Sequence, residues 1–301
     1  MVNRNIQVED IRRDWAESDR KRDEGLTTPE DIIRYDDLSY GSHDEWNLLD
    51  IYCPKGTEGL LPCIVNIHGG AWVYGNKEIY QFYCMSLAQR GFTVVNPNYR
   101  LAPEDPYPAA LEDINNVMRF VQEEGKDYHI DVNNLFMVGD SAGAQLASQY
   151  LAIYTNPAYE EMFGFKTPGM KVRAVALNCG MYDAKKCAEY GLDAPFLEYV
   201  GKKPEERMYR ERPVMETLDA LANITGDFPP AFIMSAHHDF LLENAEPMYQ
   251  HLQSKGVECE LKIYGSPKQE EIAHVFHVNV RLKEAKECND EECSFFRRHI
   301  Q

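Results

Sequence analysis

Apolar positions along the chain fall into short runs, separated by longer stretches in which they recur every three or four residues. Residues 47–53 (NLLDIYC), 63–68 (CIVNIH), 92–97 (FTVVNP), 135–139 (LFMVG), 172–178 (VRAVALN), 231–236 (AFIMSA) and 258–264 (ECELKIY) are apolar or β-branched and bounded by Gly, Pro or Asn. Such runs predict strands. Tyr80–Arg90, Ala109–Glu124, Ala142–Tyr154, Asn244–Lys255 and a last stretch from Asn279 carry helical spacing. Strands alternating with helices predict an α/β fold, a mainly parallel sheet covered on both faces. Apolar alternation starts near Tyr35. Before it lies a charged stretch in which Val8, Ile11 and Trp15 predict a helix over 8–22. Residues 181–226 interrupt the alternation with a charged, aromatic-rich and mostly helical pattern too long for a simple connection. Together with residues 1–34, this segment is expected to form a cap over the C-terminal edge of the sheet, where open α/β folds bind ligands. Residues 1–301 thus read as one domain with two cap elements.

Charge narrows the functions open to such a domain. Lys and Arg number 31 against 49 Asp and Glu, a formal net charge of −18. That acidity disfavours nucleic acid, anionic membrane surfaces and strongly anionic substrates such as coenzyme A thioesters. Residues 1–13 lack the apolar centre of a signal peptide, and no apolar run approaches the roughly 20 residues of a membrane span. Cys53, Cys63, Cys84, Cys179, Cys187, Cys259, Cys288 and Cys293 are irregularly spaced, several within apolar segments. Cys288 and Cys293 have no second pair to complete a zinc site. The expectation is a cytoplasmic protein with reduced thiols, no metal and no membrane association. Its expected partners are a small-molecule substrate and, as one further option, copies of itself in a homo-oligomer.

The candidate chemistry sits at the ends of the strands. Gly139-Asp140-Ser141-Ala142-Gly143 follows the apolar run Leu135–Val138 and opens a helix. Glycines two positions either side relieve crowding at a sharp turn, and the helix N-terminus directs N–H groups toward negative charge forming at the serine. The five-residue pattern alone is weak; its place between strand and helix gives it force. His68-Gly69-Gly70-Ala71-Trp72 ends an earlier strand, and paired glycines let N–H groups turn into a cavity, as an oxyanion hole requires. A serine elbow of this type takes its partners in the chain order Ser, Asp, His. His274 lies in the loop after the last strand, whereas His277 sits against the next helix in a cap or surface position. Asp239 lies just past Ala231–Ala236, with Glu243 as a later competitor. Adjacent residues at a strand end point to opposite sides, so of His237 and His238 one is expected to be packed and one to line the pocket.

With these residues in view, the chain resembles the hormone-sensitive-lipase-like family of α/β-hydrolase esterases, which includes bacterial acetyl esterases and arylacetamide deacetylases. The resemblance rests on HGGAW (68–72), NYRLAPEDPYPAAL (98–111), GDSAG (139–143), HHDFL (237–241) and HVF (274–276). It implies a cap from the N-terminus and the 181–226 insertion, and an oxyanion hole from the N–H groups of Gly69, Gly70 and Ala142. Ala71 stands where the family often has a third glycine, and Val275 where it often has glycine, adding bulk beside the base. Arg100 and Glu104 are expected to brace the region beneath the site. The implied activity is a carboxylesterase acting on short acyl esters through Ser141, His274 and Asp239, with no cofactor. Trp72, Tyr74, Tyr182, Phe240 and Val275 are candidate pocket walls, each with a core-packing role as its alternative. The rival readings are an amidase or peptidase using the same triad, and a non-catalytic small-molecule receptor, which the complete Ser, Asp and His set argues against.

Overall fold

The computed structural model describes residues 8–201, 203 and 206–301. The first seven residues of the expected N-terminal cap, and Lys202, Pro204 and Glu205 of the insertion, lie outside the described residues. In chain order the strands are β1 (Ile32–Ser39), β2 (Leu48–Pro54), β3 (Leu61–Ile67), β4 (Thr93–Pro97), β5 (Ile130–Asp140), β6 (Val172–Asn178), β7 (Met208–Tyr209), β8 (Arg212–Pro213), β9 (Ala231–Ala236) and β10 (Cys259–Tyr264). The helices are α1 (Val8–Asp23), α2 (Lys77–Ala88), α3 (Ala109–Glu124), α4 (Ala142–Thr155), α5 (Pro157–Glu160), α6 (Asp193–Val200), α7 (Val214–Thr217), α8 (Ala220–Asn223), α9 (Ala245–Ser254) and α10 (Lys283–Arg298).

Eight strands form one sheet in the order β1-β2-β4-β3-β5-β6-β9-β10, and β7 pairs only with β8. β2 runs antiparallel to β1 and β4, and all other neighbours in the sheet are parallel. Both faces of the central strands are apolar, as buried parallel strands require. Val65, Met137, Leu177 and Ile233 face one side, against Ile114 and Met118 of α3, Leu146 of α4 and Met248 of α9. Ile64, Phe136, Ala176 and Phe232 face the other, against Met85 and Leu87 of α2 and Phe295 and Phe296 of α10.

All seven runs read as strands are strands. β1 was not among them, because its Asp36 and Asp37 are exposed and a register shift between Tyr35 and Leu38 breaks its alternation. α2 starts three residues earlier than Tyr80, where the Asn76 side chain caps it by accepting from the Ile79 N–H (3.1 Å). α10 starts at Lys283 instead of Asn279, because a 3-10 turn at Phe276–Val278 comes first. The described residues of 181–226 hold only short pieces, namely a 3-10 stretch at Ala184–Tyr190, α6, the β7–β8 pair, α7 and α8.

Candidate active site

The parallel strands bring the singled-out residues to one edge. Ser141 lies between β5 and α4 with φ 54 and ψ −118, a left-handed conformation that costs energy for a residue with a side chain. The flanking glycines are sterically required. A Cβ on Gly139 would sit 2.4 Å from the Gly143 carbonyl oxygen, and one on Gly143 would sit 2.0 Å from the Ile67 carbonyl oxygen.

His274 Nε2 lies 3.0 Å from Ser141 Oγ, and its Nδ1 lies 2.7 Å from Asp239 Oδ1. Asp239 also accepts from Ser235 Oγ (2.7 Å) and from the Leu241 N–H (2.9 Å). Burial by itself would push the Asp239 carboxyl up. The bond to His274, the imidazole charge and those two donors outweigh it and hold the carboxyl below its ordinary value. A short bridge between His238 and Ala273 ties the loop of Asp239 to the loop of His274.

The glycine loop differs from expectation at one position. The Gly69 N–H donates to Tyr80 Oη (3.0 Å), and Tyr80 Oη donates to Asp140 Oδ2 (2.7 Å). Gly69 therefore has no free N–H for an oxyanion. The N–H groups of Gly70, Ala71 and Ala142 have no hydrogen-bond partner among the described residues. Ala142 is the first residue of α4, so its N–H has no place in the helical ladder. Asp140 is buried, which pushes its carboxyl up to about 7 despite the bond from Tyr80.

A cavity of about 220 Å³ opens above Ser141 and His274. Tyr74, Phe240 and Val275 line it, as anticipated. Trp72 and Tyr182 do not. Trp72 is stacked on Tyr199 (4.9 Å) and donates from Nε1 to Gln145 Oε1 (2.9 Å), and the buried Tyr182 hydroxyl donates to the Leu177 carbonyl (3.1 Å). Both are packing residues. The walls missed in the sequence are Trp15, Ser18, Asp19 and Arg22 of α1, with Ile79, Tyr80 and Leu192. The α1 residues form one stripe at helical spacing, hidden because three of the four are polar.

Other histidines also differ from expectation. His237 and His238 are both exposed, and neither lines the cavity. His277 is fully buried, its ring edge-on to Tyr83 (5.1 Å) and its carbonyl accepting from Asn289 (3.2 Å), so it is neither a cap nor a surface residue. Arg100 pairs with Asp113 and Glu112 in the first turns of α3. Glu104 instead receives both Nη atoms of Arg12 (2.8 and 2.7 Å), which ties α1 to the body. All eight cysteines are free, and no described metal-like cluster contains Cys288 or Cys293. No helix among the described residues is long and apolar enough to cross a membrane.

The chain belongs to the alpha/beta hydrolase fold family, whose profile it matches over residues 64–278. It is similar to the probable carboxylic ester hydrolase LipM of Mycobacterium tuberculosis, at 30% identity over 214 residues, which are 68% of this chain and 48% of that protein. It is also similar to esterase LipQ of the same organism, at 27% identity over 235 residues, 76% of this chain and 53% of that protein. The chain thus spans about half the length of these curated relatives. Among solved structures, esterase B from Lactobacillus rhamnosis shares the fold with a TM-score of 0.87 at 23% identity, covering 97% of this chain and 94% of that one.

Proposed function

We propose that this protein is a carboxylic ester hydrolase in which Ser141 attacks the ester carbonyl and His274 takes its proton. Asp239 holds the imidazole with Nδ1 protonated and stabilises the imidazolium. The observation that carries this reading is the unbroken line Ser141–His274–Asp239, with contacts of 3.0 and 2.7 Å, at the base of a cavity. The tetrahedral oxyanion is received by the N–H groups of Gly70 and Ala142, with Ala71 beside them. The alcohol then leaves with the proton from His274, and water attacks the acyl-enzyme with His274 again as base.

Size favours short esters. The cavity's 220 Å³ falls below the roughly 300–1,000 Å³ of pockets that hold drug-sized ligands. α1 and Leu192 of the 181–226 insertion roof it as cap elements, and Val275 narrows it beside the base. We infer a preference for soluble esters of about two to four acyl carbons, since each methylene beyond the available room meets overpacking instead of about 0.8 kcal/mol of burial. The test is kcat/KM for p-nitrophenyl acetate, butyrate, octanoate and palmitate, together with the anilide of acetate. Acetate or butyrate should lead and the anilide should be slow. Ser141→Ala should lose at least a thousandfold in kcat while keeping its thermal midpoint within a few degrees. Near-normal turnover in that variant would overturn the assignment.

A further inference from the structure

Cys179 stands directly behind the catalytic acid and has no part in the hydrolysis above. It follows β6 in a left-handed conformation (φ 48), fully buried, with its N–H on the Met234 carbonyl (2.7 Å). Its Sγ, a carboxylate oxygen of Asp239 and a ring nitrogen of His274 all lie within 4.8 Å of one another. We propose that Cys179, Asp239 and His274 form a binding site for a thiophilic divalent cation such as Zn²⁺ or Cd²⁺, and that occupancy switches the triad off. The site builds on the proposed roles of Asp239 and His274, and it regulates the same centre.

The donor set selects the ion. One sulfur, one imidazole nitrogen and one carboxylate oxygen suit zinc and cadmium, whereas Mg²⁺ and Ca²⁺ take oxygen. A tetrahedral zinc with bonds of about 2.0–2.3 Å holds its ligand atoms roughly 3.4–3.6 Å apart. The Nδ1 to Oδ1 separation must therefore open from 2.7 Å, and the sulfur must close in by up to about an ångström from the 4.8 Å limit. Charge is balanced too. A thiolate and a carboxylate cancel the dication, so the filled site buries no net charge.

Protons balance in a way that explains inactivation. As the sulfur–metal bond forms, the Cys179 thiol proton leaves to solvent. The Nδ1 lone pair of His274 binds the ion, and the ring proton that Nδ1 carried moves to Nε2. With Nε2 protonated, His274 cannot accept the proton of Ser141, and attack on the ester stops.

The experiment titrates the purified protein with Cd²⁺ in a non-chelating buffer. It reads the ultraviolet thiolate-to-cadmium charge-transfer absorption and, separately, the hydrolysis of p-nitrophenyl acetate. One equivalent should produce the band and remove hydrolysis. A chelator should reverse both, and Mg²⁺ should do neither. Cys179→Ala should lose the one-equivalent band and need at least tenfold more Cd²⁺ for half-inhibition, measured against its own metal-free rate. Cys259→Ser, at the half-buried cysteine, should behave as the unaltered protein. If Cys179→Ala does not fold, Cys179→Ser makes the same test with the shape kept and the soft donor gone. Inhibition unchanged in these variants, or no stoichiometric band, overturns the site. A band on a protein that hydrolyses no ester would leave the site standing and sink the esterase reading, so the two failures are distinct.

Discussion

Tyr80 joins the glycine loop after β3 to the turn that carries Ser141. The Tyr80 hydroxyl holds the Gly69 N–H on one side and the Asp140 carboxyl on the other, and a Cβ on Gly69 would come 2.5 Å from Asp140 Oδ2. The glycine loop and the Ser141 turn are thereby fixed to one another. Tyr80→Phe leaves a buried carboxyl and a backbone N–H without their shared partner, at a cost of about 1–3 kcal/mol. We expect kcat to fall about tenfold with KM nearly unchanged, because the oxyanion donors lose their placement and ground-state binding does not. Steady-state kinetics and a urea midpoint separate the two effects, and a loss confined to KM would count against this role. Val275 supplies a second residue-scale prediction. Its φ of 52 is a conformation that glycine adopts freely and a β-branched side chain does not, and it lines the cavity beside His274. Val275→Gly should widen the site and raise the octanoate-to-acetate ratio of kcat/KM severalfold; an unchanged ratio would show that Val275 does not limit chain length. Among single residues, the meeting of Ser141, Asp239 and His274 was legible because turn chemistry and chain order are local signals. Trp72 and Tyr182 were not, since an aromatic beside a glycine loop reads alike whether it faces a cavity or, as here, Tyr199 and Leu177. The partner of the Gly69 N–H was hidden for the same reason: only the fold reveals that Tyr80, eleven residues on, occupies it.

α1 carries few apolar residues and is held to the domain by polar contacts. Arg12 donates to the Val73 (2.8 Å) and Ala102 (3.0 Å) carbonyls as well as to Glu104. Farther along, Asp19 accepts from Tyr74 Oη (2.7 Å), Arg22 donates to the Ile79 carbonyl (2.5 Å), and Arg281 donates to the Arg22 and Glu24 carbonyls. A helix fixed this way can be removed with little loss of core, since only Val8 and Ile11 are buried. Truncation after Asp23 keeps β1 whole, strips Trp15, Ser18, Asp19 and Arg22 from the cavity and should flatten the dependence of kcat/KM on acyl length. Arg12→Ala should move the ratio in the same direction by a smaller factor. If the truncated protein folds, by circular dichroism, and still prefers acetate over octanoate as before, α1 is not the roof. The element scale also shows where the sequence pattern stops being readable. The central strands were legible because both faces are buried and their runs are continuous. β1 lies at the sheet edge, and its acidic residues and bulge mask the period. The cavity-facing stripe of α1, Trp15, Ser18, Asp19 and Arg22, is polar at three of its four positions, so hydrophobicity alone could not mark it.

Across the whole molecule, buried titratable groups shape how stability depends on pH. Burial pushes the Asp140 carboxyl up to about 7, and it pushes Glu292 up to about 7 against bonds from Asn178 (2.8 Å) and Tyr83 (3.2 Å). Burial lowers His68 to about 4 and His277 to about 3. The two carboxyls have raised folded values, so the stability they contribute is present below their ordinary values of 3.8 and 4.5 and is lost as pH rises to about 7. The two histidines have depressed folded values, so their contribution is present above 6.5 and is lost as pH falls toward 4 and 3. Between about pH 4.5 and 6.5 these four groups together take up two protons on folding and release two, and their slopes cancel. The contribution of these four should be nearly flat there, and stability should fall at more acid pH, where the histidines and the depressed carboxyls of Asp239, Glu104, Asp131 and Glu160 lose theirs. Glu292→Gln removes one side of that balance. Its lost hydrogen bond is a constant offset, so the readout is how the difference from the unaltered protein changes with pH. As pH falls from 7.5 to 5, the unaltered protein should gain on the variant by up to about 1.4 kcal/mol per pH unit below 7, reaching roughly 2 kcal/mol. Urea titrations of both proteins at pH 7.5, 6 and 5 measure it. A difference that does not change with pH would mean that Glu292 stays ionised inside the fold, and the balance of four groups would be wrong.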